Sequence, residues 1–116
     1  MDWHRMLPCD GAFTQEEINQ AYEVRLRCGQ PVQITGPSGK KQGTRLLSPE
    51  QIRLTLLALC GHSLAHREKA LAQGFLPLPG GHRLGICGER SGADLLSPSS
   101  LCIRIAHPIP HAARDI

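Results

Sequence analysis

Aromatic residues are scarce in this chain of 116: one Trp, one Tyr and two Phe. A core drawn from that composition is aliphatic, and a nucleic-acid surface of stacked rings has too few rings to form. No window approaches the 18 or so consecutive apolar residues of a membrane span. The start Met1-Asp2-Trp3-His4 lacks the apolar stretch of a secretory signal, which leads us to expect a cytoplasmic protein. Concentrated charge is also lacking. A formal net charge of +3 is a mild basic bias, well short of the dense stripe of a dedicated nucleic-acid binder. Five cysteines, Cys9, Cys28, Cys60, Cys87 and Cys102, never form a Cys-x-x-Cys pair and are odd in number, which fits reduced thiols packed as small hydrophobes. No Gly-x-Ser-x-Gly nucleophile turn occurs, so a covalent hydrolase has no support.

The signals that are present concern folding. Thr14-Gln15-Glu16-Glu17 is a capping box with Phe13 and Ile18 placed as a hydrophobic staple, predicting a helix from about Gln15 to Tyr22. Leu47-Ser48-Pro49-Glu50-Gln51-Ile52 repeats the device, with Ser48 as cap and Pro49 at the first helical position. The helix it opens should bury Ile52, Leu56, Leu59 and Cys60 and stop at Gly61. Ser63 can open a third helix, and Gly74 is placed to close it in the left-handed conformation.

Elsewhere the period is two. Val24, Leu26 and Cys28 alternate with Glu23, Arg25 and Arg27, and Val32 and Ile34 alternate with Gln33 and Thr35, giving a hairpin across Gly29-Gln30-Pro31. Leu76 and Leu78, then Leu84 and Ile86, make a second hairpin across Pro79-Gly80-Gly81. Leu101, Ile103 and Ile105 form a last strand. The intervening stretch from Gly88 to Ser100 has two glycines, a proline and four serines, and reads as a flexible surface loop. The fold class is therefore α+β: a small, largely antiparallel sheet with about three helices on one face.

Several constellations invite chemistry. Gly36-Pro37-Ser38-Gly39-Lys40-Lys41 suggests a phosphate loop but fails the Walker spacing, because Ile34 stands where the first glycine is needed and Lys41 where Ser or Thr is needed. The simpler reading is a lysine-tipped hairpin turn. Its Gly-x-x-Gly is that of a nucleic-acid-clamping loop, but strands rather than helices flank it; a basic face of Lys40, Lys41, Arg45, Arg25 and Arg27 would be the footprint of such binding. His62 and His66 have the i, i+4 spacing of zinc ligands with Cys60 nearby, yet Gly61 and Ser63 break the helix between them, so we assign no metal site. In the glycine hairpin, Gly80, Gly81 and Gly85 allow a tight turn and close backbone approach, while His82 and Arg83 offer donors to a carboxylate or phosphate. An exposed arginine on a plain hairpin is the alternative.

The segment Gly74-Phe75-Leu76-Pro77-Leu78-Pro79-Gly80-Gly81-His82-Arg83-Leu84-Gly85-Ile86-Cys87-Gly88 resembles the central motif of the stage III sporulation protein AA family. Glu23-Val24-Arg25-Leu26-Arg27-Cys28-Gly29-Gln30-Pro31-Val32 resembles its upstream strand-turn-strand, and agreement continues through Ser63 to Gly74 and Cys102-Ile103-Arg104-Ile105-Ala106, over residues 15 to 107. Two departures stand out: His107 follows where the family has a basic residue, and no Walker motif follows it.

The resemblance implies a secretion ATPase of the VirB11 and PilT kind, in which an α+β N-terminal domain joins a RecA-like core and forms hexameric rings. Those rings are expected to serve the channel between mother cell and forespore. On that reading residues 1–14 are a tail, 15–107 the N-terminal domain and 108–116 a linker toward a missing ATPase core. The expected partners are that core, neighbouring ring subunits and sporulation channel proteins, with nucleic acid disfavoured. ATP and magnesium belong to the full-length family, and this chain alone is expected to be no enzyme. Arg83, Arg104 and His82 are the residues the resemblance places toward nucleotide, a guanidinium fork suiting phosphate charge. Arg83 or Arg104 could instead pair with Glu89 or Asp94. Rival readings are a free-standing nucleic-acid or protein-binding module, or a truncated gene remnant.

Overall fold

The computed structural model describes residues 7–8, 13–91 and 94–106. In chain order the elements are α1 (Gln15–Gln20), β1 (Glu23–Arg27), β2 (Pro31–Gly36), β3 (Gly39–Leu46), α2 (Pro49–Leu59), α3 (Leu64–Gln73), β4 (Phe75–Leu78), β5 (His82–Ser91) and β6 (Asp94–Arg104). The six strands form one sheet in the order β3-β2-β1-β6-β5-β4, antiparallel throughout. The fold is α+β, as the periodicity predicts.

Helix starts follow the capping chemistry. Thr14 accepts a hydrogen bond from the Glu17 amide while Glu17 accepts one from the Thr14 amide, and Ser48 and Gln51 repeat the exchange at α2. Ser63 caps α3 by accepting from the His66 amide, and Gly74 closes it at φ 81°. The first helix ends two residues earlier than expected, at Gln20, because Ala21 is already extended and Tyr22 donates its amide to the Thr35 carbonyl of β2.

Alternation decides which face is buried. Val24, Leu26, Ile34, Leu84, Ile86, Leu101 and Ile103 are buried on one face, where they meet Ile18 of α1, Ile52, Leu56 and Leu59 of α2, and Ala70 of α3. Opposite residues on neighbouring strands share a face. The register Glu23↔Arg104↔Arg83 therefore puts these three side chains together on the other face, which among the described residues no helix covers and which is called the helix-free face.

One reading needs correction. The stretch from Gly88 to Ser100 is no loop: β5 runs on to Ser91 and β6 begins at Asp94, with Gly88↔Pro98, Glu89↔Ser97 and Ser91↔Asp94 in register and bulges at Cys87/Gly88 and Glu89/Arg90. A ladder is made by backbone groups, so it can extend past the helix-covered core without hydrophobic alternation, and Pro98 sits where a bulge tolerates the missing donor. The centre of that stretch, residues 92 and 93, lies outside the described residues. The lysine-tipped turn is flanked by strands as expected, and the second of them, β3, is an edge strand whose side chains are mostly exposed. His107 and the expected linker 108–116 lie outside the described residues, as does most of the expected tail 1–14.

Candidate functional site

The helix-free face carries the candidate chemistry. Arg83 and Arg104 are direct cross-strand partners on β5 and β6, both exposed. One step along the ladder, Gly85 faces Cys102, and the four residues Arg83, Gly85, Cys102 and Arg104 line an open depression of about 300 Å³. Gly85, grouped with the loop glycines by sequence, is mid-strand. It supplies no side chain between Phe75 and Cys102, its neighbours on either side, and this leaves the floor of the depression open.

Each arginine is positioned differently. The Arg83 guanidinium lies 4.4 Å from the centre of the Phe75 ring on β4, a cation–π contact that fixes its plane while leaving its edge donors available. Arg104 stands opposite Glu23, but that carboxylate is committed elsewhere. Glu23 Oε1 accepts from the Cys102 thiol at 2.7 Å and from Arg25 Nη2 at 3.1 Å. The Cys102 hydrogen bond, then Arg25 and the field of Arg104, hold the Glu23 carboxyl below its ordinary range against the opposing effect of partial burial. Burial, then the Glu23 contact, pushes the Cys102 thiol up. It is a hydrogen-bond donor here rather than a nucleophile.

The alternative of an ion pair with Glu89 or Asp94 fails on register. Glu89 lies six residues along β5 from Arg83, about 20 Å at the rise of a strand, and Asp94 is farther, at the start of β6. Among the described residues, neither Arg83 nor Arg104 has a carboxylate within salt-bridge distance.

The five residues of the expected basic face divide between the two faces and an edge. Arg25, Arg27 and Lys40 share the helix-free face with Arg83 and Arg104, which sequence reasoning had kept as separate groups. Lys41 points to the helix side. Its ammonium donates to Glu17 Oε2 at 2.7 Å and lies 5.9 Å from the Phe13 ring centre, so it is engaged rather than available to a phosphate. Hydrogen bonding to Lys41 and to the Thr14 amide holds Glu17 below its ordinary range. Arg45 is exposed on edge strand β3. The Walker-like segment is the two-residue turn of the β2–β3 hairpin, with Gly36 paired to Gly39.

His82 lies on the opposite side of the sheet from the arginines. It opens β5 opposite Leu78, on the helix side of the sheet, and its Nδ1 accepts a hydrogen bond from the Ala106 amide at 2.9 Å. It thus faces away from the two arginines. Nothing in the sequence signalled this contact, which spans 24 residues. His62 occupies a left-handed turn at φ 60° after α2, and His66 the first turn of α3, so the two do not share one helix face.

These features define a class: an α+β domain whose antiparallel sheet is covered by helices on one side and presents arginines on the other. The family model for sporulation stage III, protein AA, matches residues 11–116, nearly the whole chain. The chain belongs to that family, which gives it a role in sporulation. A search of the curated proteins returns no match. No described helix is long and apolar enough to cross a membrane.

Proposed function

We propose that this chain is the non-catalytic N-terminal domain of a sporulation secretion ATPase, and that its helix-free face presents Arg83 and Arg104 to nucleotide phosphate held by a RecA-like core. The observation that supports this is the pairing of Arg83 with Arg104. Like charges directly opposite on a sheet repel, and no described carboxylate bridges them. An anion resting in the depression between them would relieve that repulsion and receive several donors from two forks.

The reading gives this domain no chemistry of its own. The turn that came nearest to a phosphate loop has the wrong spacing, and its Lys41 is bound to Glu17. ATP and magnesium would be handled by the core, with the domain supporting ring assembly and sensing the nucleotide. The expected result is no ATP hydrolysis by the purified chain above background, and turnover that follows the folded protein through purification would overturn the reading.

Arg25, Arg27 and Lys40 on the same face favour one second reading, a free-standing polyanion- or nucleic-acid-binding module. It predicts DNA or RNA affinity that falls steeply with salt and weakens in a Lys40→Ala, Arg27→Ala double variant. Lys41 is a poor probe of it, being tied to the opposite face.

A further inference from the structure

The two edges of the sheet, β4 and β3, are built differently. At β4, Ile86 donates its amide to the Gly74 carbonyl, so the next pair, Phe75↔Gly85, and the alternate pair Pro77↔Arg83 are of the non-hydrogen-bonded kind. The backbone groups of Phe75 and Pro77 therefore point away from the sheet. Proline has no N–H to give, so Phe75 is the one outward donor of this strand and the edge is closed to a further strand.

At the other edge, the Thr35 carbonyl accepts the Tyr22 amide on the β1 side of β2, so Thr35 turns its backbone away from β3. Its partner Lys40, and Gln42 two residues on, then turn their N–H and C=O groups outward. No proline interrupts β3, no described strand pairs beyond it, and Gly39, Lys40, Lys41 and Gln42 are exposed. The register shifts after Gln42, which makes Gly39–Gln42 the regular stretch and leaves Arg45 beyond it.

We propose that this stretch of β3 takes up an extended acidic segment of another protein as an added strand. Charge selects the occupant. Strands β2 and β3 contain no Asp or Glu, and a second copy pairing antiparallel about Lys41 would set Lys41 against Lys41 with Lys40 close by on each side. Lys40 stands on the helix-free face with no described carboxylate within salt-bridge distance, and the same holds for Arg27. Arg25, Arg27, Gln33 and Gln42 line a depression of about 40 Å³ that reaches from β1 to this edge. Arg25 is bonded to Glu23, so Arg27 is the cation there that an incoming carboxylate would meet. Side chains at alternate positions of an added strand share one face. One carboxylate would lie beside Lys40 and the next beside Gln42, at the mouth of that depression. The site is distinct from the depression between Arg83 and Arg104, which lies on β5 and β6, beyond β2 and β1 in the sheet.

Residue-resolved NMR of the full chain tests this, with a capped peptide of alternating Glu and Thr as the probe. At saturation the Lys40 and Gln42 amides should gain about fivefold in exchange protection, roughly what one net hydrogen bond contributes, while the Phe75 amide on β4 stays unchanged. Gln42→Pro removes an outward N–H at an edge position that tolerates proline, and should weaken binding about fivefold. Lys40→Glu should weaken it about threefold at low salt. A peptide of the same composition with its Glu residues in one block should bind more weakly than the alternating one. No saturable protection at Lys40 and Gln42, equal protection at Phe75, or equal binding of the two peptides would overturn the proposal. Protection of Lys40 and Gln42 that rises with protein concentration in the absence of peptide would overturn it too, because the occupant would then be a second copy. The peptide comparison and Lys40→Glu decide the matter even if Gln42→Pro fails to fold, which circular dichroism would reveal.

Discussion

Substituting Gly80 by Ala separates backbone strain from the histidine contact. A side chain at φ 91° costs about 1–2 kcal/mol, partly offset by roughly 0.4–1 kcal/mol from the stiffer unfolded chain. Gly39 is the control, since it has φ 101° with nothing within 4 Å of its would-be Cβ. Gly39→Ala should therefore cost only the difference, about 1 kcal/mol. At Gly80 the new methyl would meet His82 Nε2 at 2.9 Å. The ring must yield, and because Nδ1 is held by Ala106 the yielding breaks a hydrogen bond worth about 1 kcal/mol. Gly80→Ala should cost about 2 kcal/mol, roughly twice the control. Urea denaturation at pH 7.5 measures both, and in a His82→Ala background the excess at Gly80 should vanish. Equal costs at Gly39 and Gly80 in the native chain would refute the claim that the ring is held.

Other consequences follow from the same geometry. The Glu23 carboxyl is held below its ordinary value of 4.5 in the folded state, so its contribution is present above that value and disappears as pH falls through the folded one. Glu23→Gln should lower the urea midpoint at pH 7 and flatten its decline as pH falls below about 4.5, leaving the part of the slope due to Glu17. Ser48→Ala removes one half of the α2 capping box and should cost about 1 kcal/mol by denaturation. His62 at φ 60° is a non-glycine in the left-handed region, and His62→Gly should raise stability by about 0.5–1 kcal/mol, read as a higher urea midpoint.

Local capping chemistry was legible because each partner lies within three residues. Thr14 with Glu17, Ser48 with Gln51, and Gly74 as the left-handed stop appear in the structure as the sequence suggests. The buried alternation of Val24, Leu26, Leu84 and Ile86 was equally plain. What failed had no side-chain signature. Edge strand β3 was legible only as a flank of the lysine-tipped turn and its extent was not, because Lys40, Lys41, Gln42 and Arg45 are mostly exposed and bury too little to show a period of two. The far arms of β5 and β6 carry glycine, proline and serine because a ladder there is held by backbone bonds.

At the site, the type of each residue was legible and the grouping was not. That Arg83 and Arg104 would stand opposite each other depends on strand order, which places β6 between β1 and β5. The same order brings Arg25 and Arg27 onto their face and sends Lys41 to the other. That His82 Nδ1 accepts from the Ala106 amide was not legible, because this partner is a backbone group 24 residues away.

The proposed phosphate-facing role of Arg83 and Arg104 is tested most directly by following their side-chain Nε–H signals while the chain is titrated with ATP at fixed ionic strength. The account predicts that these two shift first and together, and that Arg83→Gln or Arg104→Gln removes the response of both. Shifts confined to Arg25 and Arg27, or no saturable shift at either Arg83 or Arg104, would contradict it.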